Sequence, residues 1–246
     1  GKQSVDEYVK QTAIVNPHAT FIYVTPEKEK IVYERVTEEL PKEAKEIKPH
    51  PYGIELGHLI KMLQDTRANT LQGFLQSDFS RIGQQTAQEI CKNVKLKYDE
   101  KPKKLDHKQI ETLFKILQET KIMAPSSDCL SQIGADLLEK GLRKEIQADF
   151  YITTTRSPSV YRGNPFIIEV GIAYGGELDK ESQVRLMRFA NRVPLLYQQG
   201  ACAITEAVSD TNWRSYELNQ SGNNLPTGPA IILVHIASVW VPFTSE

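Results

Sequence analysis

This chain of 246 residues has few cysteines, almost no net charge and no long apolar run. Its three cysteines, Cys91, Cys129 and Cys202, form no Cys-x-x-Cys pair, so neither a disulfide framework nor a thiolate zinc site is expected. Such cysteine usage favours a reducing, cytoplasmic compartment. No apolar run approaches the roughly 18 residues of a membrane helix, so we predict no membrane contact. Because the formal net charge is only −1, any surface that attracts an anion must be local.

Catalytic signatures are missing as well. The sequence has no GxxxxGK[ST] phosphate loop, no HExxH zinc motif, no GxSxG nucleophile elbow and no GxGxxG run behind a strand. Five histidines occur singly, and they are His18, His50, His58, His107 and His235. His235 lies in an apolar run, which predicts a hydrogen-bonded core histidine. We therefore predict no catalytic residue, no metal ligand and no cofactor-binding residue in this chain.

Helical periodicity dominates the first half of the chain. A helix with a Ser4–Glu7 capping box, two strands around a turn at 26–29, and a charged, proline-rich linker at 37–53 come first. Four short amphipathic helices follow from about residue 55, and Thr70, Gly83 and Asp106 are the predicted starts of the last three. A fifth helix is predicted to begin at Ser127 and to end with Gly141 as its C′ residue.

The last third of the chain changes to strand-like patterns. Four apolar segments, at 149–157, 164–174, 183–196 and 229–243, predict strands. One helix is predicted within 198–210, with Ala203, Ala207 and Val208 on its packing side, so Ala203→Phe should cost about 1–3 kcal/mol by overpacking. The predicted fold class is α+β and multidomain: a small helical domain, then a two-layer domain with helices on one face of a sheet.

One segment is markedly basic. Residues 81–108 carry eight lysines and arginines against four carboxylates, a density that suits contacts with nucleic-acid phosphates. Gly83 would add free N–H groups at a helix N-terminus, and it has no Cβ to keep a phosphate away. A solvated lysine-rich surface is an equal alternative on composition alone. The candidate DNA-contacting residues are Arg81, Gly83, Lys92, Lys95, Lys97, Lys101, Lys103 and Lys104.

Several stretches resemble a known family. "FSRIGQQTAQEICKNV" and "KLDHKQIETLFKIL" resemble the helix-two-turn-helix module. The flanking stretches "EYVKQTAIVNPHATFIYVTP", "ITTTRSPSVYRGNPFIIEVGIAYGG" and "RFANRVPLLYQQGACAITEAVSDTNW" resemble the B subunit of archaeal-type DNA topoisomerase VI, a type IIB topoisomerase of the GHKL ATPase class. The resemblance covers essentially the whole chain.

This resemblance implies a domain organisation. Residues 1–48 would be the closing helix and strands of a GHKL-type ATPase domain with a linker, and residues 49–126 the helix-two-turn-helix domain. Residues 127–246 would be a transducer domain, similar to domain 2 of a ribosomal protein and truncated before its C-terminal helix. The chain would thus be a fragment of the whole subunit.

The resemblance also implies a function. The family's enzyme relaxes supercoiled DNA by passing one duplex through a double-strand break in another. It is an A2B2 heterotetramer in which the A subunit cleaves duplex DNA. ATP and Mg²⁺ bind to the B subunit, and this binding makes two B subunits dimerise. This chain would transmit the nucleotide state to the A subunit and contact DNA.

Two departures from the family pattern limit what this chain does alone. The asparagine box, the DxGxG motif and the glycine-rich lid of the ATPase are absent from the sequence. The family's lysine for the γ-phosphate is expected just beyond Glu246. We therefore expect no ATP, no Mg²⁺ and no catalysis in this fragment. The alternatives are a non-catalytic helical module that binds nucleic acid or protein and, less favoured, a stand-alone enzyme.

Overall fold

The structure is a computed structural model that describes residues 5–241. These residues contain seven α-helices and eight β-strands. The helices are α1 (Val5–Val15), α2 (Leu56–Asp65), α3 (Leu71–Asp78), α4 (Gln84–Val94), α5 (His107–Glu119), α6 (Ala135–Glu145) and α7 (Ala203–Asp210). The strands are β1 (Phe21–Val24), β2 (Lys30–Tyr33), β3 (Phe150–Thr155), β4 (Ser159–Tyr161), β5 (Asn164–Tyr174), β6 (Arg185–Ala190), β7 (Val193–Pro194) and β8 (Ala230–Ser238).

Two compact units share the chain. The helical unit comprises Ala44–Leu130 and Pro158–Phe166, and the sheet unit comprises the remaining described residues, 5–43, 131–157 and 167–241. The proposed Ser4–Glu7 capping box lies partly outside the described residues, as does the end of the last predicted strand.

Short-range signals in the sequence produce the helical unit. The Thr70 hydroxyl accepts a hydrogen bond from the Gly73 N–H at 3.0 Å and starts α3. Asp106 and Gln109 form a reciprocal capping box at the start of α5. Both predictions are confirmed, because a cap needs only residues within one turn of each other. The four helices enclose one apolar core whose fully buried side chains include Leu59, Leu63, Leu71, Phe74, Leu75, Ile90, Leu113 and Leu117.

A six-stranded sheet organises the sheet unit. Its strand order is β3–β5–β8–β6–β7, and β4 pairs with the start of β5. Strand β3 pairs with β5 in antiparallel register, whereas β6 and β8 run parallel. The β1–β2 hairpin forms a separate two-stranded antiparallel sheet.

Both faces of the six-stranded sheet are covered, so the prediction of helices on one face is wrong. Ile231 and Leu233 of β8 pack with α1 and α6, while Ile232 and Val234 pack with α7. The run "AIILVHIAS" already carries the reason, because a strand that is apolar at successive positions is one that is buried on both sides.

The helix predicted to have Ser127 as its N-cap has Gly134 there instead, seven residues later. Gly134 precedes it with φ 89°, a left-handed conformation that favours glycine, and α6 runs from Ala135 to Glu145. Gly141 is therefore inside the helix rather than beyond its end. A Cβ at Gly141 would lie 2.2 Å from the carbonyl oxygen of Ile14, so the glycine allows α1 and α6 to approach closely. A contact between residues so distant in sequence cannot be read from a local pattern.

Of the three residues predicted to form the packing side of α7, Val208 packs against the sheet, whereas the two alanines do not. The apolar contacts of α7 to the sheet come from Ile204 and Val208, whereas Ala203 and Ala207 are exposed. Ile204 and Val208 are four residues apart and therefore share one side of a helix. The expectation that Ala203→Phe would overpack this helix is accordingly wrong.

Candidate nucleic-acid interface

Helix α4 begins at Gly83 with its first turn open. Gly83 is exposed, and no side chain caps the helix among the described residues. Its backbone is extended, with φ −86° and ψ −179°, and an added Cβ would meet nothing within 4 Å. Neither conformation nor internal packing therefore requires glycine here. The missing side chain leaves the first N–H groups of α4 accessible to an anion from outside.

Three candidate lysines follow one another at the opposite end of α4. Lys92 lies in the last helical turn, and Lys95 ends the helix in the left-handed conformation, with φ 62°. The Leu96 N–H donates to the Cys91 carbonyl at 3.1 Å, which closes the helix end. Lys97 follows two residues later, and all three lysines are exposed.

The connection from α4 to α5 carries the other three candidate lysines. The carbonyls of Tyr98 and Glu100 accept hydrogen bonds from the N–H groups of Gln72 and Leu71, at 3.0 and 2.7 Å. This loop thereby satisfies the open N-terminus of α3 and is itself fixed. A 3₁₀ turn at Pro102–Lys104 then buries Pro102, while Lys101, Lys103 and Lys104 remain exposed. We call residues 92–104, with their six exposed lysines, the basic segment.

The structure separates the eight candidate residues into two groups. Helix α4 rises about 16 Å over its eleven residues, so Gly83 at its start lies about that far from Lys95 at its end. One phosphate cannot touch both groups. A duplex, whose phosphates repeat every 3.4 Å along each strand, could meet the two groups about five base pairs apart.

Arg81 and Lys95 both adopt a conformation that glycine adopts more easily. Their φ values are 64° and 62°. Arg81 also lies near the buried imidazole of His50. Burial lowers the pKa of His50 and the Arg81 charge lowers it further, although a hydrogen bond to the Met123 carbonyl opposes the shift.

Tyr98 is an exposed aromatic residue that the sequence reasoning missed. Its side chain is 64% exposed and lies between Lys97 and Lys101 in the basic segment. Aromatic side chains among lysines provide faces on which nucleic-acid bases stack. The signal was present in the sequence, as a tyrosine within a run of lysines.

A second polar feature lies inside the sheet unit. The Glu169 carboxylate is fully buried and accepts hydrogen bonds from the N–H groups of Ile133 and Gly134, the Thr155 hydroxyl and His235 Nδ1, all at 2.7–2.8 Å. Burial alone would raise the pKa of Glu169, but these donors outweigh it and lower the pKa. The prediction that His235 is a hydrogen-bonded core histidine is confirmed.

Two kinds of feature are absent from residues 5–241. No group of three or more histidine, cysteine, aspartate or glutamate side chains there could hold a metal ion. No helix in that range is long and apolar enough to cross a membrane.

Comparisons with known proteins agree with one another, through a family model over the C-terminal half of the chain and relatives over its full length. Residues 125–246 match the family model described as topoisomerase VI B subunit, transducer. The B subunit of type 2 DNA topoisomerase 6 from Methanococcoides burtonii is 55% identical over 245 residues, which cover 100% of this chain and 39% of that protein. Proteins of the same name from Archaeoglobus fulgidus and Saccharolobus solfataricus are 45% and 35% identical, over 100% and 99% of this chain and 40% and 46% of their own lengths. The chain thus spans about two fifths of the length of these curated relatives.

Proposed function

Since the chain belongs to the family of topoisomerase VI B subunits, we propose that it works within an ATP-dependent type IIB topoisomerase that relaxes supercoiled DNA by double-strand passage. Its partners would be the A subunit in an A2B2 heterotetramer, a second B subunit that joins when ATP is bound, and duplex DNA, in the cytoplasm. Identity to curated relatives along the whole chain supports this proposal.

The domain assignment belongs to the same proposal. Residues 1–48 would close the ATPase domain, residues 49–126 would be the helix-two-turn-helix domain, and residues 127–246 the transducer. The apolar packing of Ile14 and Val15 of α1 with Leu138 and Leu142 of α6 supports a direct mechanical contact between the closing ATPase helix and the transducer.

ATP and Mg²⁺ would serve the whole protein rather than this chain. The family's nucleotide-binding motifs are not among its 246 residues, and the family lysine for the γ-phosphate would follow Glu246. The residues present therefore do not form the nucleotide site, and no ATP hydrolysis is expected from this chain. Its role would be to carry a displacement at the nucleotide site through a stiffly packed sheet.

DNA contact would come from the helical unit, at the basic segment and at the start of α4. One observation carries this part of the proposal: all eight candidate residues are exposed, and six of them are lysines in one continuous segment with a fixed backbone. Arg81 and Lys95 add a second argument, since residues in a conformation that favours glycine often serve a function.

The test reverses three charges in the basic segment. Lys92, Lys95 and Lys97 changed together to Glu should weaken duplex binding at 50 mM salt by at least about tenfold, since three phosphate contacts are lost. Lys61, Lys115 and Lys121 are exposed lysines of the same unit outside the segment, so the same triple change there is the matched control. Equal effects of the two triple variants would contradict a localised contact.

A protein-docking module is the second candidate function, because exposed Tyr98 and Met123 also suit a protein partner. The salt dependence of binding distinguishes the two functions. Phosphate contact weakens steeply as salt rises, whereas docking through apolar side chains does not.

A further inference from the structure

We infer that a chain of hydrogen bonds, from buried Glu169 through buried His235 to half-buried Arg192, latches helix α1 onto the sheet and joins it to the end of β8. The three residues lie on β5, on β8 and in the turn between β6 and β7. The latch itself rests on contacts within the sheet unit. Only its mechanical consequence, that α1 moves with the end of β8, rests on the proposed function.

The hydrogen bonds define the state of His235. Its Nε2 accepts a hydrogen bond from the backbone N–H of Arg192, with 3.0 Å between the two nitrogens. Because an N–H can only donate, Nε2 carries no proton. Nδ1 therefore carries the proton and donates to Glu169 at 2.8 Å. A neutral imidazole thus links a buried carboxylate to the backbone of a turn. Because the His235 and Glu169 side chains are fully buried, removing either would leave an unsatisfied buried polar group.

The Arg192 side chain extends this link to α1. Its Nη1 donates to the carbonyl of Val15, the last residue of α1, at 3.0 Å. Its Nη2 donates to the carbonyl of Gln132 at 2.9 Å. In return, the Asn16 amide donates to the Arg192 carbonyl at 3.2 Å. A cation at the C-terminal carbonyls of a helix is also favoured by the helix dipole.

The same turn holds the end of β8. The Asn191 N–H donates to the carbonyl of Ile236 at 2.8 Å, and its side-chain amide exchanges two hydrogen bonds with the backbone of Ser238, at 2.9 and 3.0 Å. Asn191 and Arg192 both have positive φ, of 47° and 65°. Such a turn persists when its surroundings determine it, and here both residues are held on two sides.

The consequence follows if the residues after Glu246 reach the nucleotide, as the proposed function has it. A displacement of the end of β8 would then move the 191–192 turn, and that turn would move α1 and residues 132–134 with it. Arg192, Glu169 and His235 are positioning residues in this scheme, since none of them contacts a substrate. They make the helix and the strand one mechanical element.

Amide hydrogen exchange on Arg192→Gln tests the latch. The shorter neutral side chain loses both carbonyl contacts, so exchange in residues 5–16 and 131–134 should quicken on the order of tenfold, as expected for losing hydrogen bonds to a charged group. The matched control is Arg188→Gln, because Arg188 is an arginine of the sheet unit that likewise bonds to two backbone carbonyls, but to those of Leu195 and Tyr197. It should quicken exchange around residues 195–202 and change residues 5–16 less than about threefold.

Equal exchange of residues 5–16 in the two variants would overturn the latch. If Arg192→Gln fails to fold, Asn16→Ala removes two half-buried contacts of the side-chain amide, to the carbonyls of Thr12 and Arg192. Because the Thr12 contact lies within α1, the latch is tested by the amides of residues 191–192, whose exchange should quicken as well; unchanged exchange there would count against the latch equally. Duplex binding by the basic segment should be unaffected in every variant, so failure of the latch and failure of DNA contact remain separate outcomes.

Discussion

At the scale of a residue, Lys95 is a surface lysine whose backbone conformation lowers the stability of the fold. It ends α4 with φ 62°, a conformation that costs an L-residue about 1–2 kcal/mol relative to glycine. Lys95→Gly should therefore raise the free energy of unfolding by about 1 kcal/mol while weakening duplex binding. Urea unfolding and a binding titration on one preparation measure both. Lys97→Gly is the control, since Lys97 has no positive φ and should gain no stability; a stability gain at both positions would contradict the assignment.

His50 links protonation to the stability of the helical unit. Its pKa is lowered, first by burial and then by Arg81, so the folded state resists a proton that the unfolded state accepts below its ordinary pKa of 6.5. The stabilisation is therefore complete above pH 6.5 and is lost as pH falls below it. Chemical denaturation at about pH 7.5 and about pH 5.5 should show a smaller loss on acidification in His50→Gln than in the parent chain. The same loss in both would exclude His50 as the cause.

At the scale of an element, the sequence predicts the start of a helix when the capping side chain bonds within the first turn. Thr70 and Asp106 mark their helices with side chains that bond within one turn. The start and end of α6 are not predictable in this way, because Gly141 is specified by Ile14, far away in the sequence. The continuous apolar run of β8 does indicate burial on both sides, and the prediction of a one-sided sheet neglects that signal.

Gly141→Ala tests the close approach of α1 and α6. Alanine is a better helix former than glycine by about 1 kcal/mol. Here its Cβ would lie 2.2 Å from a backbone oxygen, so the helices must separate, and we expect a net loss on the order of 1–3 kcal/mol. Gly57→Ala is the control, because nothing lies within 4 Å of that Cβ and α2 should be stabilised or unchanged. Thermal unfolding measures the stability of both variants, and a Gly141→Ala variant more stable than the parent chain would contradict the close packing of α1 and α6.

At the scale of the whole molecule, the net charge does not show that one unit carries an excess of positive charge. The helical unit has fifteen lysines and arginines against eleven aspartates and glutamates, although the chain carries −1 in all. Sequence alone located the basic segment because its lysines lie close together along the chain. It could not assemble Glu169, Arg192 and His235, which only the pairing of strands brings together.

The salt dependence of duplex binding tests the central claim, that the basic segment contacts DNA phosphates. Binding of this chain to a short duplex would be measured from about 50 to about 200 mM salt, and the logarithm of the association constant plotted against that of salt. If all six lysines of the segment contact phosphates, the slope should be about −5, since each contact contributes about −0.9. Glu at positions 92, 95 and 97 should bring the slope to about −3 or shallower. A slope near zero in the parent chain, or an unchanged slope in the triple variant, would contradict the claim.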